Sequence, residues 1–360
     1  MRAAVVRPGH PGSIHLTERP MPHGAPGTAL VRVLDLGIDG TDRDINRGEY
    51  GEAPDGRSDL VVAHECVGEV VEVSPGVSGL EPGAIVVATV RRPCAESCPN
   101  CAAGEYDHCL SGHYLERGIK GLDGYASEFF VEAPEYLVRV PDAIRSVAVL
   151  LEPFSIAQKA MREAFLIQSR MTWQPKQALV IGAGSLGLLV ALGLRLRGFD
   201  VAVIDRVPAD HLKAQRVGEL GARYLDARST PLLSLRQSLG AFDLIIEAAG
   251  DSQSVFESLQ ILSNNGILVT LGLSTSRGNL TIPADVLNLE RVLENLTVLG
   301  CVNSHRKDFE QGAADMLAAE ERFPGWLARL ITRRLPFAEI TAAMDRSPED
   351  IKVVVTMAFL

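Results

Sequence analysis

Four of the six cysteines lie within a sixteen-residue stretch, at Cys94, Cys98, Cys101 and Cys109. Four thiolates in one short loop can complete a tetrahedral shell around zinc, which leaves no open coordination position for a reaction. The spacing therefore predicts a structural zinc site, and reduced cysteines without metal are the alternative. Cys66 and Cys301 lie in apolar strand patterns and are predicted to be buried small hydrophobic residues.

A glycine-rich sequence follows the apolar run Ala178–Ile181 and contains Gly182, Gly184 and Gly187 in the spacing G-x-G-x-x-G. In this arrangement the first glycine forms a tight turn, the second lets the backbone approach a pyrophosphate, and the third allows close packing of helix against strand. A helix is predicted to follow, and the free N–H groups at its N-terminus favour an anion. The sequence predicts a dinucleotide-binding site here.

A second apolar run, Val201–Ile204, ends in Asp205, where a carboxylate can accept hydrogen bonds from the adenosine ribose. The same carboxylate repels the additional phosphate of NADP and favours NAD. Arg206 follows directly, and a guanidinium at this point can bind that phosphate. The alternative is a solvated surface arginine. The pair therefore leaves both NAD and NADP open as cofactors.

Three short polar segments could carry catalysis. They are Gly37–Asp42 with Asp39 and Thr41, Ala63–Glu65 with His64, and Leu151–Pro153 with Glu152. Each has an ordinary structural explanation when taken alone: an aspartate in a turn, a partly buried histidine and a helix cap.

The order and setting of these segments resemble the medium-chain zinc alcohol dehydrogenases, over essentially the whole chain. The resemblance implies an α/β protein with a GroES-like β-rich catalytic domain, a four-cysteine lobe and a Rossmann doubly wound parallel sheet. The usual cysteine ligand of that family is replaced here by Asp39, as in the glucose dehydrogenases of halophilic archaea. The gap between Cys94 and Cys98 is one residue longer than the usual C-x-x-C.

Further runs are similar to the glucose dehydrogenases, above all Tyr114–Gly121 (YLERGIKG) and Gly300–His305 (GCVNSH). The resemblance implies the following site residues. The catalytic zinc would be held by Asp39, His64, Glu65 and Glu152, and the sugar bound by Thr41, Glu116, Glu152 and Asn303. The cofactor would contact Gly182, Gly184, Ser185, Leu186, Gly187, Asp205, Arg206, Leu271, Gly272, Leu273, Cys301, Val302 and Asn303.

The implied reaction is oxidation of an aldose, with glucose the best candidate, to the lactone. Zinc would act as a Lewis acid, Thr41 would relay the proton, and a hydride would pass to NAD or NADP. A surface carboxylate paired with Arg117 or Lys120 is the alternative for Glu116. Two other functions stay open: dehydrogenation of another polyol or amino alcohol, such as sorbitol or threonine, and a catalytically silent zinc- and nucleotide-binding protein.

Two regions with different patterns must position these residues. Residues 1–150 contain short valine-rich runs broken by Gly and Pro, which predict an irregular β-barrel. From Ala178 onward, apolar runs alternate with amphipathic segments, as in a buried parallel sheet. A final strand, Lys352–Met357, is predicted to return to the first domain. We therefore expect a catalytic domain of residues 1–152 plus 304–360 and a dinucleotide-binding domain of 153–303.

Composition limits the remaining possibilities. The chain has 360 residues, 46% of them hydrophobic and 22% charged, which indicates a globular protein of two domains. A net charge of −10 argues against a nucleic-acid partner. The chain shows neither the apolar core of a signal peptide nor a run that could span a membrane, so we expect a cytoplasmic protein with reduced thiols. A homo-oligomer, dimer or tetramer, is expected from the resemblance.

Overall fold

The computed structural model describes residues 1–274 and 278–357, and the chain divides into two units. The first unit comprises Met1–Ser155, Asn303–Leu317 and Leu327–Leu360, and the second comprises Ile156–Val302 and Ala318–Trp326. The helices are Gly40–Asn46, Pro99–Ala102, Leu151–Gln168, Ser185–Leu196, Leu212–Glu219, Leu235–Leu239, Ser252–Ser258, Ala284–Leu293, Arg306–Arg322 and Ile340–Ala343. None of the helices in the described ranges combines the length and apolar character that a membrane span requires.

The first unit is built on β-sheets whose strands are short and valine-rich. Its strands are Arg2–Val6, His15–Glu18, Ala29–Ile38, Leu60–Val61, Glu65–Val73, Ile85–Ala88, Arg91–Arg92, Leu115–Arg117, Gly121–Leu122, Phe129–Glu132, Leu137–Arg139, Ile331–Pro336 and Lys352–Thr356. The long strand Ala29–Ile38 lies between Glu65–Val73 and Lys352–Thr356 and is antiparallel to both. The final strand therefore returns to the first unit, as the sequence predicted.

Buried and half-buried residues alternate along the first six residues of Ala29–Ile38, as expected of a strand with one face on the core. Val31, Val33, Leu36 and Ile38 are buried in one apolar cluster with side chains of the neighbouring strands. The C-terminal end of this strand, the start of Glu65–Val73 and the start of Lys352–Thr356 meet through the pairs Gly37–Glu65 and Val353–Ile38. The sheet therefore brings together three segments that are far apart in the sequence.

The second unit contains a six-stranded parallel sheet. Its strands, in spatial order, are Arg223–Asp226, Asp200–Asp205, Gln177–Ile181, Phe242–Glu247, Leu262–Thr270 and Thr297–Gly300. This order, with the first strand in the middle and the direction of winding reversed beside it, is that of a doubly wound dinucleotide-binding sheet. The fold class predicted from the sequence is therefore confirmed. The strand Arg223–Asp226 was not predicted, because Arg, Tyr and Asp interrupt its apolar pattern.

Cys301 is a correction to the sequence analysis. It was predicted to be buried in an apolar strand, but the strand ends at Gly300 and Cys301 is only partly buried. Cys66, in contrast, is buried, and burial raises the pKa of its thiol well above the ordinary value.

Candidate active site

Asp39 has two roles at the end of the central strand. It is the N-cap of the helix Gly40–Asn46, because its Oδ1 accepts a hydrogen bond from the backbone N–H of Asp42 at 3.1 Å. Its other oxygen, Oδ2, lies 3.7 Å from Nε2 of His64 and 3.3 Å from the hydroxyl of Thr41, which donates to it. The cap fixes the carboxylate while one oxygen stays directed at His64.

His64 is positioned by an unusual backbone turn. The preceding residue, Ala63, has φ of +68°, a conformation that costs free energy for any residue with a Cβ. Two glycines pack on this turn, since a Cβ at Gly118 or Gly124 would overlap the Ala63 carbonyl oxygen. Close backbone packing therefore holds the turn and directs the imidazole toward Asp39.

The second ring nitrogen of His64 faces Asp42. The distance from Nδ1 to Asp42 Oδ1 is 3.8 Å, and the same oxygen accepts a hydrogen bond from the Ala63 N–H at 3.2 Å. Burial lowers the pKa of His64, but Asp39 and Asp42 together raise it well above its ordinary value. A carboxylate behind the imidazole is the arrangement that orients a metal-binding histidine with Nε2 forward.

Glu65 occupies a confined space between two strands. Its Oε2 forms an ion pair with Nζ of Lys352, and both side chains are almost completely buried. Its partner across the sheet is Gly37, and a Cβ there would overlap Oε2. Burial raises the pKa of Glu65 despite the attraction of Lys352. The side chain is therefore held at one position by the lysine and by the absence of a side chain at residue 37.

Together, these elements bring ligand atoms of Asp39, His64 and Glu65 within 4.8 Å of one another. One imidazole and two carboxylates form a donor set that suits zinc. Glu152 is not one of these three, although it is buried and its charge interacts with theirs. Burial, with the negative charges of Glu65 and Asp39, raises the pKa of Glu152 to about 8. A divalent cation would compensate these buried negative charges, so the residues present fit a metal ion.

Glu116 is buried beside Asn303 and Arg91. The guanidinium of Arg91 donates to Oε1 of Glu116 through Nε at 3.0 Å and Nη2 at 2.9 Å. The amide of Asn303 donates to the same oxygen at 2.9 Å, and its own oxygen accepts from the Ser304 N–H. The surface ion pair with Arg117 or Lys120, considered from the sequence, is therefore not formed, since Arg117 pairs with Glu132 and Lys120 donates to the Gly112 carbonyl.

The four clustered cysteines converge on one point. Their sulfur atoms all lie within 4.8 Å of one another, with Cys94 and Cys101 buried and Cys98 and Cys109 partly buried. Backbone N–H groups of Cys98 and Leu110 donate to the sulfurs of Cys94 and Cys98, each at 3.3 Å. Hydrogen bonds from backbone groups lower the pKa of Cys98 to about 6, which favours its thiolate. The geometry fits a four-thiolate metal site.

The longer spacing between Cys94 and Cys98 is accommodated by one turn. Ser97 has φ of +49°, and its N–H donates to the Cys94 carbonyl at 3.0 Å. This left-handed residue reverses the chain so that Cys98 faces Cys94 despite the additional residue.

In the second unit, the glycine-rich turn joins the strand Gln177–Ile181 to the helix Ser185–Leu196. Gly182 has φ of +101°, and a Cβ at Gly187 would overlap the Gly182 carbonyl oxygen. Apart from its chain neighbours, no described residue has an atom within 4 Å of the Cβ position of Gly184, the N-cap residue, so this point is open to a ligand. Leu186 is partly buried within the first turn of the same helix.

Asp205 ends the next strand, with both carboxylate oxygens held by backbone N–H groups. Oδ2 accepts from Ala183 at 2.5 Å, and Oδ1 accepts from Val207 at 3.1 Å. Asp205 and Arg206 line a cavity of about 690 Å³ that includes Gly182. The predicted cofactor residues of the glycine-rich turn and of this strand end are thus neighbours in the structure.

The remaining predicted cofactor residues follow the last two strands of the same sheet. The N–H groups of Leu271 and Gly272 donate to the Glu247 carbonyl, and that of Cys301 donates to the Thr270 carbonyl. The side chains of Leu273 and Val302 are exposed. These segments stand at the carboxyl ends of parallel strands, where ligands bind in such sheets.

Sequence reasoning did not identify the partners that orient the site. Asp42 lies in the segment Gly37–Asp42, but neither Asp42 nor Arg91 has a predicted role. Lys352 was read as the start of an apolar strand. A lysine is rarely buried unless it pairs with an acidic residue. Its place at the start of an apolar strand therefore indicated a buried carboxylate nearby.

Comparison with known proteins agrees with this arrangement. A family model described as the alcohol dehydrogenase GroES-like domain matches residues 25–142, and one described as the glucose dehydrogenase C-terminus matches residues 145–357. The chain is 40% identical to a glucose 1-dehydrogenase of Methanocella arvoryzae, over 99% of both chains. It is 40% identical to glucose 1-dehydrogenase 2 of Vulcanisaeta moutnovskia, over 98% of both. The glucose dehydrogenase of Haloferax mediterranei, solved with NADP, zinc and gluconolactone, superposes with a TM-score of 0.92 at 35% identity over the whole of both chains.

Proposed function

The chain belongs to the glucose dehydrogenase family, a branch of the medium-chain alcohol dehydrogenases, and on that premise we propose that it oxidises an aldose at its anomeric carbon. Glucose is the best candidate substrate, and NAD or NADP is the second substrate. The C1 hydrogen leaves as hydride to the nicotinamide, the C1 hydroxyl loses its proton, and the carbonyl of the lactone forms. The observation that carries this proposal is the group of Asp39, His64 and Glu65 ligand atoms.

We assign the catalytic metal to Asp39, His64 and Glu65, with Glu152 as the carboxylate that contacts metal or sugar. When bound, zinc supplies Lewis acidity toward the C1 hydroxyl. The chain's own contribution is orientation: the N-cap bond fixes Asp39, Asp42 supports the imidazole, and Lys352 holds Glu65. A carboxylate ligand in place of the family's usual thiolate donates less electron density, so the metal would be a stronger Lewis acid than with a thiolate.

Thr41 and Glu116 are assigned to the sugar. The Thr41 hydroxyl donates its proton to Asp39, so its lone pairs remain to accept the proton of the C1 hydroxyl. Arg91 and Asn303 hold Glu116 through Oε1. We therefore assign Oε2 of Glu116, with the Asn303 amide beside it, to sugar hydroxyls. A polyol is favoured by such a set of buried acceptors and donors, whereas a simple apolar alcohol would leave them without partners.

We assign the pyrophosphate to the turn containing Gly182, Gly184 and Gly187 and the adenosine ribose to Asp205. The fixed carboxylate of Asp205 makes NAD at least as good a cofactor as NADP, and Arg206 preserves some use of NADP. The first unit thus carries the catalytic role and the second the cofactor role. The four cysteines hold a structural zinc, and the reduced thiols that this requires favour the cytoplasm.

We propose a homo-oligomer, a dimer or tetramer, formed through the last strand of the second unit. In the described chain, Thr297–Gly300 ends the sheet and pairs with a neighbour on one side only. Exposed apolar side chains lie on this strand and on the helix Ala284–Leu293: Val286, Leu289, Val292, Leu293 and Val298. A second copy would cover this surface and satisfy the free strand edge.

The test is steady-state kinetics of the purified, zinc-loaded protein with a panel of aldoses and polyols and with both cofactors. Formation of reduced nicotinamide is followed by absorbance. We expect glucose among the best substrates and sorbitol and threonine among the poor ones, with kcat/KM for NAD at least equal to that for NADP. Better turnover of sorbitol or threonine would contradict the assigned substrate, and no turnover of any substrate would favour a silent binding protein.

A further inference from the structure

The cavity beside Asp205 has an uneven charge distribution. Among the described residues that line it, three carry a carboxylate, Asp205, Asp251 and Glu257, and one carries a guanidinium, Arg206. Charges of one sign within a few ångströms of each other raise the free energy of binding a further like charge. Taken together, these four groups disfavour a phosphate on the ribose.

Arg206 is held by one of these carboxylates. Its Nη2 lies 3.5 Å from Oδ1 of Asp251, although 80% of the arginine side chain is exposed. Asp251 itself is fixed, because it is the N-cap of the helix Ser252–Ser258 and its Oδ2 accepts from the N–H of Ser254 at 3.0 Å. The cap uses one oxygen and the ion pair uses the other. A fixed carboxylate therefore competes for the one guanidinium among the described residues that line the cavity.

We propose that Asp251 is a second determinant of cofactor preference, acting through Arg206. The proposal rests on the proposed function, since it places the adenosine ribose in this cavity. For a 2′-phosphate to bind, Arg206 must leave Asp251 and bind the phosphate close to the carboxylate of Asp205. Removing the charge of Asp251 frees the guanidinium for the phosphate. Asp251 therefore favours the unphosphorylated ribose without contacting it.

The decisive variant is Asp251→Asn. Asparagine is as good an N-cap as aspartate, so the helix keeps its cap while the ion pair with Arg206 is lost. Glu257→Gln is the matched control, because it removes a carboxylate from the same cavity. The Glu257 side chain accepts from Gln253 at 2.7 Å, not from Arg206. The double variant Arg206→Ala with Asp251→Asn tests whether the effect passes through the arginine.

The measurement is calorimetric titration of each variant with adenosine 2′,5′-bisphosphate and with adenosine 5′-monophosphate, in the absence of sugar. We expect Asp251→Asn to improve the affinity for the bisphosphate relative to the monophosphate by about fivefold, since the ion pair it removes is partly exposed. Glu257→Gln should improve it less than half as much. The gain should disappear in the double variant and shrink at high salt.

Weaker binding of the bisphosphate in Asp251→Asn would overturn the proposal, because it would mean that Asp251 positions Arg206 for the phosphate. An equal gain in Glu257→Gln, or a gain that survives in the double variant, would also overturn it by showing a general charge effect. Binding of the nucleotides does not depend on sugar turnover. An inactive wild-type protein that binds both nucleotides would therefore contradict the proposed substrate and leave this test valid.

Discussion

Gly37 lies directly across the sheet from Glu65, and a methyl group on its Cα would overlap the carboxylate oxygen Oε2. The same methyl group would lie 2.9 Å from Cε of Lys352. The position of a proposed metal ligand is therefore set by a residue that has no side chain at all. A glycine within a central strand is otherwise unfavourable, and here, near the end of Ala29–Ile38, the close approach explains it.

We expect Gly37→Ala to displace Glu65 and lower both zinc affinity and turnover, by about 10- to 100-fold for the affinity. Overpacking of the sheet should also cost about 1–3 kcal/mol of stability. Gly218→Ala is the control, because no described atom outside its own helix lies within 4 Å of its Cβ position. Zinc analysis, kinetics and thermal unfolding of both variants provide the test. Full zinc content and activity in Gly37→Ala would remove Glu65 from the ligand set.

The two oxygens of Asp39 allow its cap and its ligand role to be separated. Asparagine can keep the cap through Oδ1 but carries no charge, whereas cysteine offers a thiolate and a weaker cap. We expect Asp39→Cys to keep zinc and measurable activity, and Asp39→Ala to lose the catalytic zinc and most turnover. Asp39→Asn should fold normally and bind zinc weakly.

Zinc content, turnover and unfolding temperature of the three Asp39 variants distinguish the roles. If Asp39 only caps the helix, asparagine restores activity and cysteine does not. Asp39→Ala with bound catalytic zinc and full activity would exclude Asp39 as a ligand.

Most of the fold could be predicted from local patterns. The runs Ala178–Ile181, Val201–Ile204 and Phe242–Glu247 are continuous and apolar because parallel strands are buried on both faces, and each lies within an observed strand. The glycine-rich turn was recognisable because the positive φ of Gly182 and the close packing at Gly187 require glycine there. Arg223–Asp226 was missed since an edge strand keeps polar residues and has no such pattern.

The orientation of the candidate site could not be predicted in this way. Lys352 and Glu65 are separated by most of the chain, and so are Asn303 and Glu116. Such pairs follow from sheet register and from tertiary packing, which no local periodicity records. The positive φ of Ala63 is a further example, because alanine has no intrinsic preference for that conformation and only Gly118 and Gly124 explain it.

The four clustered cysteines predict a structural zinc site in addition to the catalytic one. Metal analysis should find up to two zinc ions per chain, of which the one in the closed thiolate shell resists chelators. Cys98→Ser should lower the unfolding temperature more than it lowers activity per molecule. Cys66→Ser serves as the comparison, since Cys66 is buried in the strand Glu65–Val73 and is not one of the four clustered thiols. A fully active protein with a single zinc and an unaffected Cys98→Ser variant would mean that the four thiols bind no metal.

The ion pairs of Glu132 with Arg92 and Arg117 predict a contribution to folding stability that depends on pH. Burial alone would raise its pKa, but Arg117 and Arg92 lower it below the ordinary value of 4.5. A carboxylate with a depressed pKa in the folded state stabilises the protein above its unfolded pKa, and that stability is lost as the pH falls through the folded value.

Glu132→Gln should therefore destabilise the protein at neutral pH by about 3 kcal/mol, because it leaves the buried guanidinium of Arg92 and the partly buried one of Arg117 without their carboxylate. The difference from the wild type should shrink as the pH falls below about 4.5. Denaturant unfolding at a series of pH values measures it. A difference that stays constant from neutral to acidic pH would mean that Glu132 acts by packing and not by charge.

The contacts of Glu116 lead to a prediction about how the enzyme recognises its sugar substrate. Arg91 donates two hydrogen bonds to Oε1 of Glu116. Arg91→Lys therefore keeps the positive charge but loses the planar pair of donors that orients the carboxylate. We expect this variant to raise the KM for glucose about tenfold while keeping its zinc. Arg139→Lys is the control, because it makes the same change in an exposed pair with Glu81.

Glucose analogues that each lack one hydroxyl identify the atom that Glu116 binds. Glu116→Gln should raise the KM for glucose and for every analogue except the one that lacks the hydroxyl bound by Glu116, where no hydrogen bond remains to be lost. A hydrogen bond to a charged group is worth about 1.5–3 kcal/mol, so the penalty for the other sugars should be about tenfold or more. An equal penalty for all analogues, together with loss of zinc, would show that Glu116 supports the metal site and does not contact the sugar.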